Sequence, residues 1–206
     1  MGYNYTIESI KRADCTEFLA KHHYLSQQGY SYRSGFNYGL FDEKGKLIGV
    51  AVFHTVSAWE TVKGCFGLEN KEQQGFWELG RFALDDEHHG MNHGSWFLSR
   101  CIKRLRKDTE VRALISYADA DLHNGGLYAA TNFKYYGLTA PKSDFWVKQD
   151  DGTFKKQSRG ATRDFEGEWR PRSRKHRYLM TFDKSLRTRW TEQPYPKATS
   201  PTGGTP

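Results

Sequence analysis

A chain of 206 residues is long enough to bury one full core, and one domain is the default at that length. Its 31 Lys and Arg outnumber 24 Asp and Glu, and the formal charge of +7 points to an anionic partner, either nucleic acid or a phosphate-bearing cofactor. Cys15, Cys65 and Cys101 are too scattered for a disulfide framework or a zinc knuckle, and no leader or run of 18 apolar residues is visible, so the expectation is a reducing, non-secreted setting with no membrane span.

Residues 5–9 (YTIES) alternate and predict a first strand. Residues 10–22 set Ile10, Ala13, Phe18 and Leu19 near helical spacing. The stretch 21–36 (KHHYLSQQGYSYRSGF) has no period and reads as a long polar, aromatic loop. YGLFD, EKGK and LIGVAVFHT (38–55) predict a hairpin, and residues 57–75 a polar loop with one short helix. FWELGRFALDD (76–86) predicts a strand with Glu78, Gly80 and Phe82 on one side and Leu79, Arg81 and Ala83 on the other. A Gly- and His-rich turn leads into a helix over 95–107, with Trp96, Phe97, Cys101, Ile102 and Leu105 at helical spacing. VRALISYAD (111–119) is a strand of buried type. After a turn at 123–126 come a short helix (LYAATNF) and a strand (KYYG). Residues 144–158 predict a second hairpin around Asp151-Gly152. Residues 159–177 are basic and aperiodic, and YLMTFDK (178–184) closes the strands. From residue 189 Pro, Thr, Ser and Gly dominate, which predicts a domain over 1–188 and a disordered tail over 189–206.

Chemistry concentrates in residues 116–137. Asp119 ends a strand and Tyr128 opens the helix beyond the turn, so a carboxylate and a phenol flank one cleft. Such a pair can steer an amine proton and protonate a leaving thiolate. Each also has a plain reading: Asp119 as a turn or cap residue, Tyr128 as a core aromatic, and nearby Arg81 as an ion-pair partner of Glu78 or Glu87. The strand, loop and helix over 76–107 can offer free N–H groups to a pyrophosphate, with Phe82, Ala83, Gly90, Asn92, Gly94 and Ser95 as the candidate cofactor contacts. The alternative there is an ordinary helix start capped by Ser95. His22, His23 and His123 lie in loops that could converge with Asp119 on iron or zinc, although no local ligand spacing marks such a site.

The order of elements, with LYAATNFKYYG (127–137), resembles GNAT-type N-acyltransferases. In many of these the matching Tyr is the general acid toward the CoA thiolate, and that role falls on Tyr128. HHGMNHGS departs from their literal CoA loop. A closer resemblance is to the Mom family of phage DNA modification proteins. It is carried by HHYLSQ (22–27), YGLFDEKGKLIGVAVF (38–53), ELGRFALDDEHHGMNHGSWFLSR (78–100), YADADLHNGGLYAATNFKYYG (117–137) and KHRYL (175–179). It spans nearly the whole chain except 57–75, 140–170 and the tail.

The resemblance implies an α/β (α+β) fold with a mixed, mostly antiparallel GNAT-like sheet flanked by helices. It also implies carbamoylmethyl-type modification of adenine N6, protecting phage DNA from restriction in the host cytoplasm, with acetyl-CoA or a related donor. A base in duplex DNA must be flipped out to be reached. Tyr24, Tyr32 and Arg33, with Arg81, Arg172, Arg174, Lys175 and Arg177, would supply stacking and phosphate contacts. Simple acyl transfer does not attach a two-carbon unit through its methyl carbon, which leaves room for a metal or a co-substrate. Two rival readings stand: a conventional CoA-dependent N-acetyltransferase on a small-molecule or protein amine, and a non-catalytic basic DNA-binding protein.

Overall fold

The computed structural model describes residues 4–23, 32–90, 92–123, 125–157 and 164–196. A seven-stranded sheet runs in the order β1 (Thr6–Ser9), β2 (Phe36–Phe41), β3 (Leu47–Thr55), β4 (Phe76–Leu84), β5 (Ala113–Asp119), β10 (Lys175–Thr181) and β6 (Lys134–Leu138). Only β4 and β5 pair in parallel; the other neighbours are antiparallel. Parallel neighbours need a long crossover, and α3 (His93–Asp108) supplies it.

Two faces of this sheet are covered. On one, Phe97, Leu98, Cys101, Ile102 and Leu105 of α3 bury themselves against Tyr38, Phe53, Leu79, Leu114 and Tyr178, and short α4 (Gly126–Ala130) adds Leu127 and Tyr128. The opposite face carries two separate apolar clusters. Cys15, Phe18 and Leu19 of α1 (Arg12–His22) pack on Val50 and Val52, and Val62, Cys65 and Phe66 of α2 (Trp59–Phe66) pack on Phe76, Ala113 and Ile115. In the stretch 57–75, read as a polar loop with one short helix, α2 is that helix and a 3-10 turn at Asn70–Glu72 follows it.

The simple alternation expected for β4 does not hold. Val52 pairs with Arg81 and Phe53 with Leu79, so Gly80 is an extra residue, a β-bulge. The bulge resets the phase. Phe82 joins Leu79 on the α3 face, while Ala83 turns to the α1 cluster. Gly80 is required because His54 fills its side-chain space: a Cβ there would lie 2.2 Å from His54 Nε2. The ladder between β4 and β5 covers only Phe76–Leu79 against Ala113–Ser116, after which both strands continue without each other. The sheet is therefore split at its centre.

β7 (Ser143–Lys148), β8 (Phe154–Lys156) and β9 (Gly167–Pro171) form a small second sheet in the order β8-β7-β9, inserted between β6 and β10. The Asp151-Gly152 turn closes its hairpin, with Gly152 at φ +80°. β10 begins at Lys175, inside the stretch read as aperiodic.

Residues 189–196, read from composition as the start of a tail, are docked. Arg189 N–H donates to Cys65 O at 2.7 Å, Gln193 N–H to Tyr135 O at 2.8 Å, and the Tyr195 hydroxyl to Phe133 O. Trp190, Gln193 and Tyr195 give a stretch that also holds Pro194 and Pro196 enough side chain to pack, which a compositional reading of the segment averages away. Residues 197–206 lie outside the described residues.

Candidate active site at the split in the sheet

The last link across the split is a side chain. Ser116, wholly buried, donates from Oγ to the Leu79 carbonyl at 3.0 Å and lies 2.9 Å from the Tyr128 hydroxyl. The serine has one proton and a carbonyl can only accept, so the Tyr128 contact is left to the tyrosine's own proton. Ser116 is a polar residue in an otherwise apolar ALIS run, a signal the sequence reading passed over.

Tyr128 is held from two sides. Its ring stacks on Tyr178 at 4.2 Å between centroids and meets Phe133 edge-on at 5.4 Å. Tyr178 is fully buried and its hydroxyl finds no partner among the described residues. Burial first, then the neighbouring tyrosines, push its pKa well up. The hydroxyl sits directly under Gly125, where a Cβ would clash with it at 1.9 Å.

Strand alternation puts Asp119 on the opposite face from Ser116 and Tyr128, with Ile115 and the α2 cluster. The two candidates read as neighbours on one turn thus lie across the sheet from each other. Asp119 is nearly buried. It accepts from Ser173 Oγ, from Lys175 Nζ and from Asp121 N–H at 3.1 Å. Burial would raise its pKa, but these donors, Lys175 foremost, outweigh that and hold it below the usual carboxylate value. It is an ionised anchor for the turn and a weak base.

Around it the structure gathers residues distant in sequence. Burial, Arg81 and His123 together push the His23 pKa down to about 4, so its imidazole is neutral. His123 is lowered by burial and by Lys175, against the pull of Asp119. Arg81 donates to the Gly80 carbonyl and its guanidinium lies 6.0 Å from the Tyr32 ring. The two carboxylates foreseen as partners of Arg81 are engaged otherwise: Glu78 accepts a hydrogen bond from the Ser57 N–H at 3.1 Å, and Glu87 lies 3.6 Å from Lys46. Glu78 and His54 are direct cross-strand partners. With Arg81, Tyr117 and Asp119 they form a polar strip on the sheet between the α1 and α2 clusters.

Several predicted contacts fall elsewhere. Tyr32 is a core residue under α1, its hydroxyl on Arg12 O at 3.2 Å, because the loop re-enters the fold there. Arg177 points inward: it donates to Tyr136 O at 2.7 Å and lies 4.6 Å from the Trp190 ring, since β10 starts early enough to set it on the α2 face. Arg33 and Arg174 are exposed, Arg174 donating to Thr139 O at 2.7 Å, and Arg172 lies 3.8 Å from Asp144. Tyr24 lies outside the described residues. Among the described residues, the group whose ligand atoms come close enough to share an ion is Asp85, Glu87 and His88, at the far end of β4. His22, His23 and His123 form no such group. His22 packs on Phe18 at 4.5 Å, and nothing supports the predicted iron or zinc.

α3 starts at Asn92, in left-handed conformation at φ +64°, with no side-chain cap and no acid in its first turn. Ser95, foreseen as a cap, instead donates to Asn92 O at 3.1 Å. Open space surrounds Gly90, and Gly94 sits against Leu127, Leu84 and Phe82. Beyond Leu79, β4 has a ladder on the β3 side alone. His93 N–H donates to the Gly90 carbonyl at 3.1 Å, and a helix start without a side-chain cap beside a half-paired strand suits a pyrophosphate-bearing donor.

The family model for the Mom protein family matches residues 4–197. The chain belongs to the Mom protein family. None of the curated protein sequences matches it. Among solved structures, this Mom-family chain is similar to the ribosomal-protein-S5-alanine acetyltransferase of Vibrio fischeri, at 12% identity over 89% of this chain and 96% of that one, TM-score 0.53. It is similar to an N-acetyltransferase of Staphylococcus aureus Mu50, at 18% identity over 86% and 98%, TM-score 0.51. A Bacillus subtilis acetyltransferase in complex with CoA matches at 11% identity over 88% and 99%, TM-score 0.50. At these identities the likeness is one of fold. The Mom-family chain has the GNAT-type acetyltransferase fold.

Proposed function

We propose that the protein is a transferase that modifies the exocyclic amine of adenine in DNA, using a CoA-type donor of a two-carbon unit. One observation carries the reading: the sheet is split between β4 and β5, with a held phenol on one face and a polar, histidine-lined strip on the other. Membership of the Mom family supports DNA adenine as the acceptor and a carbamoylmethyl-type product that protects DNA from restriction.

Phe82, Ala83, Gly90, Asn92, Gly94 and Ser95 would hold the donor, which supplies an activated two-carbon unit. On the α3 face, Tyr128 holds a proton at its hydroxyl, oriented by Ser116, and can deliver it to the thiolate that leaves when the acyl carbon is released. A carbamoylmethyl product, joined through the methyl carbon and ending in an amide, requires in addition an ammonia-level nitrogen source and a two-electron oxidant as co-substrates. On the other face, neutral His23 and His123 can hydrogen-bond an adenine edge. Arg81 and Lys175 add positive charge beside them, and Asp119 fixes the turn that carries His123: its carbonyl accepts the His123 N–H at 2.9 Å.

The test is mass spectrometry of nucleosides from the DNA of cells expressing the chain. A new adenosine species is the expected result, and an unchanged nucleoside profile rejects the reading. An acetylated protein or small amine in its place identifies a conventional N-acetyltransferase. Duplex binding without any new product identifies a non-catalytic DNA-binding protein.

A further inference from the structure

The three-stranded sheet β8-β7-β9 is an arm whose aromatics serve no core. Phe145, Trp146, Phe154, Phe165 and Trp169 are absent from all three core clusters. Trp169 is 51% exposed and Phe165 is 56% exposed. A free-standing sheet of this size is marginal in water unless something covers it. The pairing register sets its two faces. Phe145 opposes Trp169, Val147 opposes Gly167 and Lys155, and Ser143 opposes Pro171, so Phe145, Val147, Trp169 and Pro171 form one apolar face with Lys155 at its edge. The other face is closed by its own contacts, with Arg170 4.8 Å from the Trp146 ring and Lys156 2.6 Å from Asp144. Lys155, on the open face, has no carboxylate partner among the described residues.

The arm is rooted in the candidate site. Directly after β9, Ser173 and Lys175 both donate to Asp119, and Arg174 ties back to Thr139. The turn starting at Asp119 also carries Leu122, 58% exposed. Of the four large hydrophobic side chains exposed among the described residues, two are on the arm and one is on this turn. A single occupant that reaches the split would also cover both.

We propose that the open face of the arm docks duplex DNA, Trp169 and Phe165 lying against base faces while Lys155 takes a phosphate. The proposal deepens the reading of the protein as a DNA-modifying enzyme and rests on it. Charge complementarity selects this occupant: the chain carries +7, and Lys155, without a carboxylate partner among the described residues, lies at the edge of the apolar face. Aromatic side chains set against bases beside phosphate-binding cations hold a strand with an unstacked base, the form from which an exocyclic amine can be reached.

The test uses the full chain and a short labelled duplex, with binding read by anisotropy against salt concentration and modification read on host DNA. Trp169→Ala and Phe165→Ala should each weaken duplex binding by about 5- to 100-fold, as loss of base stacking does. Lys155→Ala should lower the slope of log K against log salt by about 1. Trp59→Ala, removing an exposed tryptophan of α2, should change neither. If the unaltered chain modifies DNA while both arm variants bind duplex as it does, the proposal fails and the function stands. If the arm variants lose binding but no new nucleoside ever forms, the arm is a DNA surface and the catalytic reading fails. A chain that neither binds nor modifies DNA overturns both. Unchanged binding together with conversion of a dimer to a monomer on Trp169→Ala makes the face a self-association surface and likewise rejects the proposal.

Discussion

Tyr128 lies flat on Tyr178, the two ring planes 11° apart, while its hydroxyl reaches Ser116 at 2.9 Å. The stack fixes the ring and the serine fixes the proton, so position and chemistry of this phenol are separable. Tyr128→Phe keeps the stack and deletes the proton. The expected result is a melting free energy within about 1 kcal/mol of the parent, since one hydrogen bond is lost. Yield of the modified nucleoside should fall by about 10²- to 10⁴-fold, the usual contribution of general acid catalysis. A full yield from Tyr128→Phe would remove the phenol from the chemistry.

Ser116→Ala tests the clasp itself. It strips the Leu79 carbonyl and the Tyr128 hydroxyl of a buried partner at the last point where β4 and β5 touch. A cost of about 1–3 kcal/mol is expected from leaving a buried acceptor unsatisfied. Modification should fall less than in Tyr128→Phe, because the phenol keeps its proton and loses only its orientation. Denaturant melts and product yield from the same preparations make the comparison.

Gly80 and His54 share one volume, so they should couple. Gly80→Ala forces a Cβ to within 2.2 Å of His54 Nε2 and is expected to destabilise by about 1–3 kcal/mol, as overpacking does. His54→Ala opens that space. The double variant should recover part of the loss, and the double-mutant cycle should give a coupling above about 0.5 kcal/mol. Purely additive melting energies would show that the bulge does not depend on the histidine.

Much of this architecture was legible from residue patterns. β3, α3 and β5 have strong periods or long apolar runs, and each lies within a few residues of its predicted span. The stretch around Tyr128 resembled a known family closely enough to indicate the fold. What stayed hidden depends on pairing between distant strands. The isolated Gly80 inside the strand is a hint of a bulge that strict alternation ignores, so Phe82 and Arg81 were put on the wrong sides of β4. The face on which Asp119 lies follows from the phase of β5 against its neighbours, and a turn read in isolation cannot supply it. The union of His23, Arg81 and His123 comes from three separate elements. Residues 189–196 were misread because composition records prolines and threonines but not the two separate clusters on which Trp190 and Tyr195 pack.

His23 makes stability depend on pH in a definite direction. Its pKa is near the ordinary 6.5 when unfolded and about 4 when folded. Between these values the unfolded chain binds more protons, so stability is full above 6.5 and declines as pH falls toward 4. The loss should be on the order of 1–3 kcal/mol, a shift of this size discounted for partial exposure. His123 and His176 are shifted the same way and add to the slope. His23→Gln should flatten part of it in urea melts between pH 4 and 7. An identical pH dependence in parent and variant would mean that His23 is not desolvated as its surroundings indicate.

Arg177 separates a structural cation from a DNA-binding one. Its guanidinium donates to Tyr136 O and lies over Trp190, and its buried Nε has no partner among the described residues. Arg177→Met keeps the aliphatic stem and removes a costly buried charge, yet it also withdraws the donor from a buried carbonyl. The two effects oppose, and a change within about 2 kcal/mol is expected. The salt slope of duplex binding should be untouched, because no phosphate reaches this side chain. Arg174→Met, on an exposed residue at the root of the arm, should leave stability nearly constant and lower that slope by about 1. Anisotropy titrations at several salt concentrations, run beside thermal melts, give both numbers for each variant. A slope lowered by Arg177→Met with unchanged stability would exchange the two assignments.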